Sequence, residues 1–374
     1  MRILVHGNAS WLATGYGQQC ALLLPRLASL GHDVAVSAFA GIQGTVSGWG
    51  GFTVFPGGLE AYGNDVLPGH AQVFKADLVL TLMDAWVLNP EMMASLNAAC
   101  WMPVDCTPLS AMDRQFLRES GVTPIAMSEF GKAELETAGF DSGYVPHAID
   151  TAVFAPSDKA AAREALGVPQ DAFVIGINMA NIDAVRKAFP EQMAAFAMFR
   201  KKHPGALLLM HSHQIGPGTG LDLRDLVNRL DIAPAVRWTN PYQYTCGGYT
   251  ALELARWYAC LDVYSGCSYA EGFGLPLLEA AACGIPSVAT DFSAMPQVAG
   301  PLAHLVPGEP FWNARHRSWW AKPHIAGIAD AYEAAFKAEP DRDVIRQHAL
   351  EYDADKVFAE SWVPVLTKLE ETCA

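Results

Sequence analysis

The stretch Ser268–Asp291, SYAEGFGLPLLEAAACGIPSVATD, decides how this chain is read. Two glutamates, Glu271 and Glu279, stand eight positions apart with Gly272, Gly274 and Pro276 between them, so they do not share the face of one continuous helix. The pattern predicts a strand, a tight loop and a helix opening near Leu275. The proline falls in the first turn, where its missing N–H costs nothing. Glu279 then lies about one turn inside the helix, and Glu271 lies in the loop before it. Both carboxylates flank a helix N-terminus, whose free backbone N–H groups favour an anion. A phosphate held between two carboxylates that seek hydroxyls suits a nucleotide sugar.

At 374 residues the chain exceeds one ordinary core, and two domains are the natural division. A composition that is 51% hydrophobic and 17% charged is globular rather than disordered. The net charge of −14 argues against non-specific binding to nucleic acid or to an anionic membrane surface. No apolar run approaches the ~20 residues that cross a bilayer. The N-terminal MRILVHGNASW enters a strand directly, without a signal-peptide layout. Eight scattered cysteines with no CxxC read as buried reduced thiols, which places the chain in a reducing cytoplasm. His211 and His213 follow the apolar run ALLLM and read as a strand end rather than a zinc pair.

Working outward, the strand Arg2–His6, the loop GNASWLATGYG, a helix from Gln18 to Leu30 stopped by Gly31 and the strand DVAVSAF form a βαβ unit of a parallel sheet. ADLVLTLMD and ACWMPVD are further buried strands. Each ends in an aspartate, Asp84 and Asp105, at the carboxyl end where such sheets gather functional groups. The glycine-rich stretch Gly41–Gly63 reads as loops or a short hairpin. After FAPSDKAAAREALG the alternation restarts with DAFVIGINMA, a helix over Phe189–Lys202, ALLLMHS and a helix over Asp222–Leu230. YACLDVYSG, IPSVATD and AHLVPG continue it. The division is therefore 1–155, 156–350 and a closing helical segment 351–374.

EGFGLPLLEAAACGIPSVATD, with its glutamates, glycine loop and ordered neighbours, resembles the donor-site signature of the retaining GT-B-fold glycosyltransferases of family 4. VPHAIDTAVFAP, IGINMANIDAVRKAF, YACLDVYSGCSYAEGFG and DFSAMPQVAG resemble further segments of that family in its order. The likeness covers nearly the whole chain and is weakest at Gly41–Val66 and after Pro307. It implies an α/β protein of GT-B architecture, two Rossmann-like domains with parallel sheets facing across a cleft, the acceptor side at 1–155 and the donor side at 156–350. It also implies that segment 351–374 crosses back to the N-terminal domain.

The resemblance gives Glu279 the nucleotide ribose hydroxyls and Glu271 the donor-sugar hydroxyls. The backbone of Gly272, Phe273, Gly274 and Leu275 then faces the diphosphate, and glycine there admits the ligand without a Cβ clash. Arg186 and Lys187 resemble the family's basic pair, which stabilises the leaving diphosphate. Here the two are adjacent rather than spaced, and Asn181 is a further candidate in that place. In the opening loop Gly15 and Gly17 fit backbone that approaches the diphosphate. Asp105 stands where the family commonly has a histidine, and Asp84 ranks after it. His147 shapes the loop that ends the first domain. Trp11 and Tyr16 serve packing or the site equally well.

These assignments imply a metal-independent transferase with no cofactor beyond the donor. The Asp-x-Asp pairs Asp341 with Asp343 and Asp353 with Asp355 read as solvated charges rather than metal ligands. The acceptor is a glycan, protein or small molecule, and nothing supports nucleic acid. The segment Phe311–Trp320, FWNARHRSWW, reads as a clasp between domains or a stacking surface. Two other readings use the same motif: a nucleotide-sugar epimerase, and a binding protein that has lost turnover.

Overall fold

The structure, a computed structural model, describes residues 1–373. The chain divides into two units. Unit 1 holds Met1–Ile149, Asn313–Ser318 and the segment from Tyr352 onward, and unit 2 holds Asp150–Trp312 and Trp319–Glu351. Ala374, at the end of the predicted closing segment, lies outside the described residues.

Unit 1 is built on an eight-stranded sheet in the order β3-β4-β2-β1-β5-β6-β7-β8. Its strands are β1 Arg2–Asn8, β2 Asp33–Ala40, β3 Ser47–Trp49, β4 Phe52–Phe55, β5 Leu78–Leu82, β6 Ala98–Met102, β7 Thr123–Ala126 and β8 Gly143–Tyr144. All pairings are parallel except β3 with β4, the hairpin that the glycine-rich stretch forms. Every position of β5 and β6 is buried, as continuous apolar strands require when helices cover both faces. The chain order reverses between β1 and β5, and Asp84 follows β5 at that reversal. The C-terminal segment joins this unit through Ile149, whose N–H donates to Tyr352 O at 3.0 Å, and through the ring of Trp362 on Trp101 at 4.9 Å.

Unit 2 carries an all-parallel six-stranded sheet in the order β11-β10-β9-β12-β13-β14. Its strands are β9 Val174–Asn178, β10 Leu207–His211, β11 Val236–Trp238, β12 Val263–Gly266, β13 Ser287–Thr290 and β14 His304–Val306. The order reverses between β9 and β12, which opens a crevice at their carboxyl ends. The loop after β9 holds Arg186 and Lys187, and the loop after β12 holds Glu271, so both meet at this reversal.

A third sheet is the hairpin of β15 Gly308–Asn313 and β16 Ser318–Pro323. The segment Phe311–Trp320, marked in the sequence as a clasp or a stacking surface, forms most of this hairpin, and its turn Asn313–Ser318 groups with unit 1. There the Ala111 N–H donates to His316 O at 3.0 Å, the Ser318 hydroxyl donates to Pro108 O, and the Arg315 guanidinium lies 4.5 Å over the Trp86 ring.

Three local expectations change. The helix after β1 spans Gly15–Ser29, so Gly15 and Gly17 occupy its first turn rather than a loop. Thr14 caps it, and its hydroxyl takes the Gly17 N–H at 3.1 Å. A Cβ at Gly17 would stand 2.4 Å from Leu12 O, so packing against the preceding loop is what requires glycine there. The aspartate pairs are helix caps, not merely solvated charges. Asp341 accepts from the N–H groups of Asp343 and Val344, and Asp353 from that of Asp355. The side chains of seven of the eight cysteines are described, and all seven are unpaired. Six are buried, and Cys246 is exposed on a loop, against the expectation for all eight. Among the described residues no helix is long and apolar enough to cross a membrane.

Candidate functional site

The decisive stretch folds as its glycines and proline dictate. Gly274 caps the helix Leu275–Ala282 with φ 99°, a left-handed conformation that a side chain would strain, and Pro276 lies in the first turn. Glu279 projects from the fifth position of this helix and is 3% exposed. Its Oε2 accepts from the Tyr258 hydroxyl at 2.8 Å, and Tyr258 in turn accepts from Asn178 Nδ2 at 2.8 Å. Burial pushes the Glu279 carboxyl up to about 7, opposed only by the Tyr258 bond. A buried carboxyl with a single aromatic donor is placed to accept hydroxyls that a ligand brings.

Glu271 is buried in the opposite electrostatic setting. Lys187 Nζ reaches Oε1 at 2.6 Å, Arg186 Nη1 reaches Oε2 at 3.2 Å, and the Ser268 hydroxyl donates to Oε1 at 2.5 Å. Burial works to raise its carboxyl, but Lys187 and Arg186 outweigh it and hold the group at about 2. Two adjacent cations reach one carboxylate because Asp183 folds the loop back, accepting from the Val185 and Arg186 N–H groups at 2.8 and 2.6 Å. Tyr264 lies within the field of both glutamates, and its hydroxyl donates to Asn178 O at 3.0 Å. The crevice thus holds two buried carboxylates of unlike ionisation and two cations beside a helix N-terminus.

Phe273, 3% exposed, Leu275, 8% exposed, and Gly272 are all buried. Asn181 is not available for a ligand. Its amide donates to His213 O and Leu221 O at 3.1 and 2.8 Å and accepts from the Leu221 N–H at 2.9 Å, so the fully buried side chain pins the loop 213–221. Beside Asn178 in the register of β9 and β10 stands His211, with the rings of Tyr244 and Tyr249 at 4.8 and 5.0 Å. Burial pushes its imidazole down to about 4. The sequence showed the aromatic residues but not their convergence on one strand end.

In unit 1, Asp105 is half-buried after β6 and Asp84 is exposed after β5. Asp113, which the sequence reading missed, lies 5% exposed on the helix Ala111–Ser120. Burial raises its carboxyl to about 7, with Asp84 and Asp105 adding repulsion against a hydrogen bond from Ser110. A polar residue at the third position of a capped helix looks like an ordinary first-turn acid, and only the tertiary fold buries it. His147 is 3% exposed, packed on the Trp101 ring at 4.6 Å, and pushed down to about 3 by burial, so it serves packing.

Residues 177–311 match the family described as Glycosyl transferases group 1. The chain is similar to the D-inositol 3-phosphate glycosyltransferase of Stackebrandtia nassauensis, 39% identical over 150 residues that make up 38% of this chain and 32% of that protein. It is also similar to the enzyme of the same name from Segniliparus rotundus, 31% identical over 210 residues, 53% of this chain and 44% of the relative. The matched stretch spans less than half the length of either relative. Among solved structures, sucrose-phosphate synthase from Thermosynechococcus elongatus matches with a TM-score of 0.71 at 14% identity, covering 100% of this chain and 98% of that one. Anabaena HepE in complex with UDP matches with a TM-score of 0.67 at 15% identity, covering 98% and 100%. The fold is therefore the GT-B glycosyltransferase fold.

Proposed function

We propose that this chain is a retaining, metal-independent glycosyltransferase that moves a sugar from a nucleotide-diphosphate sugar to an acceptor hydroxyl. The observation that carries the reading is the pair of buried carboxylates at the β9/β12 reversal, one caged by Lys187 and Arg186 and one pushed up to about 7. Glu279 takes the ribose hydroxyls, and the amides of Gly272, Phe273 and Gly274 take phosphate oxygens at the helix N-terminus. Lys187 and Arg186 neutralise the charge that grows on the departing diphosphate, which is the task a metal would otherwise perform. No other cofactor enters this scheme.

Attack occurs on the face the diphosphate leaves, and a departing phosphate oxygen takes the acceptor's proton. In this scheme unit 1 carries the surface for the acceptor, a glycan, protein or small molecule, and the resemblance gives Asp105 the task of supporting the positive charge that develops at the sugar. The unpaired, mostly buried thiols suit a reducing cytoplasm.

The test is a thermal-shift panel of UDP, GDP, ADP and TDP sugars on wild type and Glu279→Ala, beginning with UDP because HepE was solved with it. A ligand at ~100 times its dissociation constant adds about 2.7 kcal/mol, enough to move the transition by several degrees. One nucleotide class that stabilises the wild type and not the variant supports the reading. No shift with any of them defeats it.

A further inference from the structure

Tyr269 lies between the Ser268 and Glu271 side chains just described, but its own groups point elsewhere. It is 5% exposed, and it bonds to three separate segments of unit 2. Its N–H donates to Arg186 O at 2.8 Å, so the loop with the two cations hangs on this residue's backbone. Its hydroxyl donates to Glu191 Oε1 at 2.7 Å, in the first turn of the helix Phe189–Lys202 that begins immediately after Lys187 and Ala188. Its carbonyl accepts the Ala321 N–H of β16 at 3.1 Å, and the Phe311 ring of β15 meets its ring edge-on at 5.2 Å.

The loop 183–188 is short, capped at one end by Asp183, and leaves Ala188 at φ 47°, a left-handed conformation for a residue with a side chain. Such a loop holds one geometry only while both of its ends are fixed. Asp183 fixes the first end, and Tyr269 holds the rest at two points, the interior through Arg186 O and the far end through Glu191. We propose that Tyr269 is a positioning residue: its hydroxyl bond to Glu191 and backbone bond to Arg186 hold Arg186 and Lys187 in register with Glu271, and the β15–β16 hairpin braces it from behind. The catalytic consequence rests on the glycosyltransferase reading above. The geometric part does not.

Two measurements separate the parts. In the first, the amine of Lys187, 12% exposed and paired with Glu271, is labelled with a trace of acetic anhydride and quantified by mass spectrometry against the exposed Lys201. Tyr269→Phe and Glu191→Ala release Lys187 and raise its relative labelling several-fold, whereas Glu191→Gln, which keeps an acceptor oxygen, leaves it near the wild-type value. In the second, release of nucleoside diphosphate from the donor found in the panel is followed with and without acceptor. Tyr269→Phe lowers kcat about tenfold, the cost of a sub-ångström misplacement of the stabilising charges, and leaves KM within about twofold.

Unchanged Lys187 labelling in Tyr269→Phe overturns the inference. So does a variant whose only defect is a lower Tm with kcat intact, because that is a purely structural role. If labelling rises in the two variants but wild type turns over no donor, the positioning role stands and the glycosyltransferase reading falls.

Discussion

Glu279→Gln should make the free protein more stable while spoiling its function, and the size of the effect follows from burial. The Glu279 carboxyl ordinarily titrates at 4.5 and is pushed up to about 7 by desolvation. The folded state therefore holds its proton more tightly than the unfolded chain does. Stability from this group is full below pH 4.5, falls as pH rises toward 7, and is level above that. At 1.36 kcal/mol per pH unit the loss is about 3 kcal/mol. Glutamine cannot ionise, keeps an acceptor oxygen for the Tyr258 hydroxyl, and suffers about 1 kcal/mol for an amide N–H without a partner.

The variant should thus exceed wild type by about 2 kcal/mol at pH 8, or ~4–8 °C in the transition of a unit of this size, and should fall about 1 kcal/mol below it under pH 4.5, where only the amide penalty remains. Thermal melts of both proteins at pH 5, 6, 7 and 8 give the comparison. In the same series the nucleotide-induced shift of wild type should grow as pH rises through 7. Glutamine should weaken nucleotide binding about 10- to 100-fold, the loss of charge-assisted hydrogen bonds. A stability difference that stays constant from pH 5 to pH 8 would refute the reasoning, since only a titrating, desolvated Glu279 makes it pH-dependent.

Removing a cation should act in the opposite sense. Lys187→Met leaves Glu271 buried with Arg186 alone and should cost about 3 kcal/mol at pH 7 by chemical denaturation. Because the Glu271 carboxyl is held at about 2, the stability it contributes is present above its ordinary 4.5 and is lost as pH falls toward 2, so the penalty should shrink there. Asn181→Ala should lower stability by about 2 kcal/mol through the loss of its loop bonds, with nucleotide affinity unchanged per folded molecule; a weakened affinity at constant Tm would restore it to the ligand site. Intact-mass spectrometry during turnover should show no glycosyl adduct on Asp105 or any other residue, and an adduct on Asp105 would replace front-face attack by a double displacement.

Local sequence is enough for whatever depends on neighbours along the chain. Gly274 and Pro276 set the loop and the start of a helix, so Glu271 and Glu279 were placed around that helix N-terminus from local conformation alone. Alternation of apolar runs and helical periods gave parallel sheets, and strand ends located Asp84 and Asp105. Tertiary structure decided everything that depends on who comes near. Resemblance made Arg186 and Lys187 the basic pair of the site, but only the side-by-side placement of β9 and β12 turns both onto Glu271. Asn181 looked like a ligand contact until the loop 213–221 consumed its amide. Asp113 and Tyr269 carried no signal, because desolvation and long-range hydrogen bonds belong to packed neighbours that no local pattern encodes. Residue type fixes which charges a chain owns; burial and partners fix which of them are ionised and where they act.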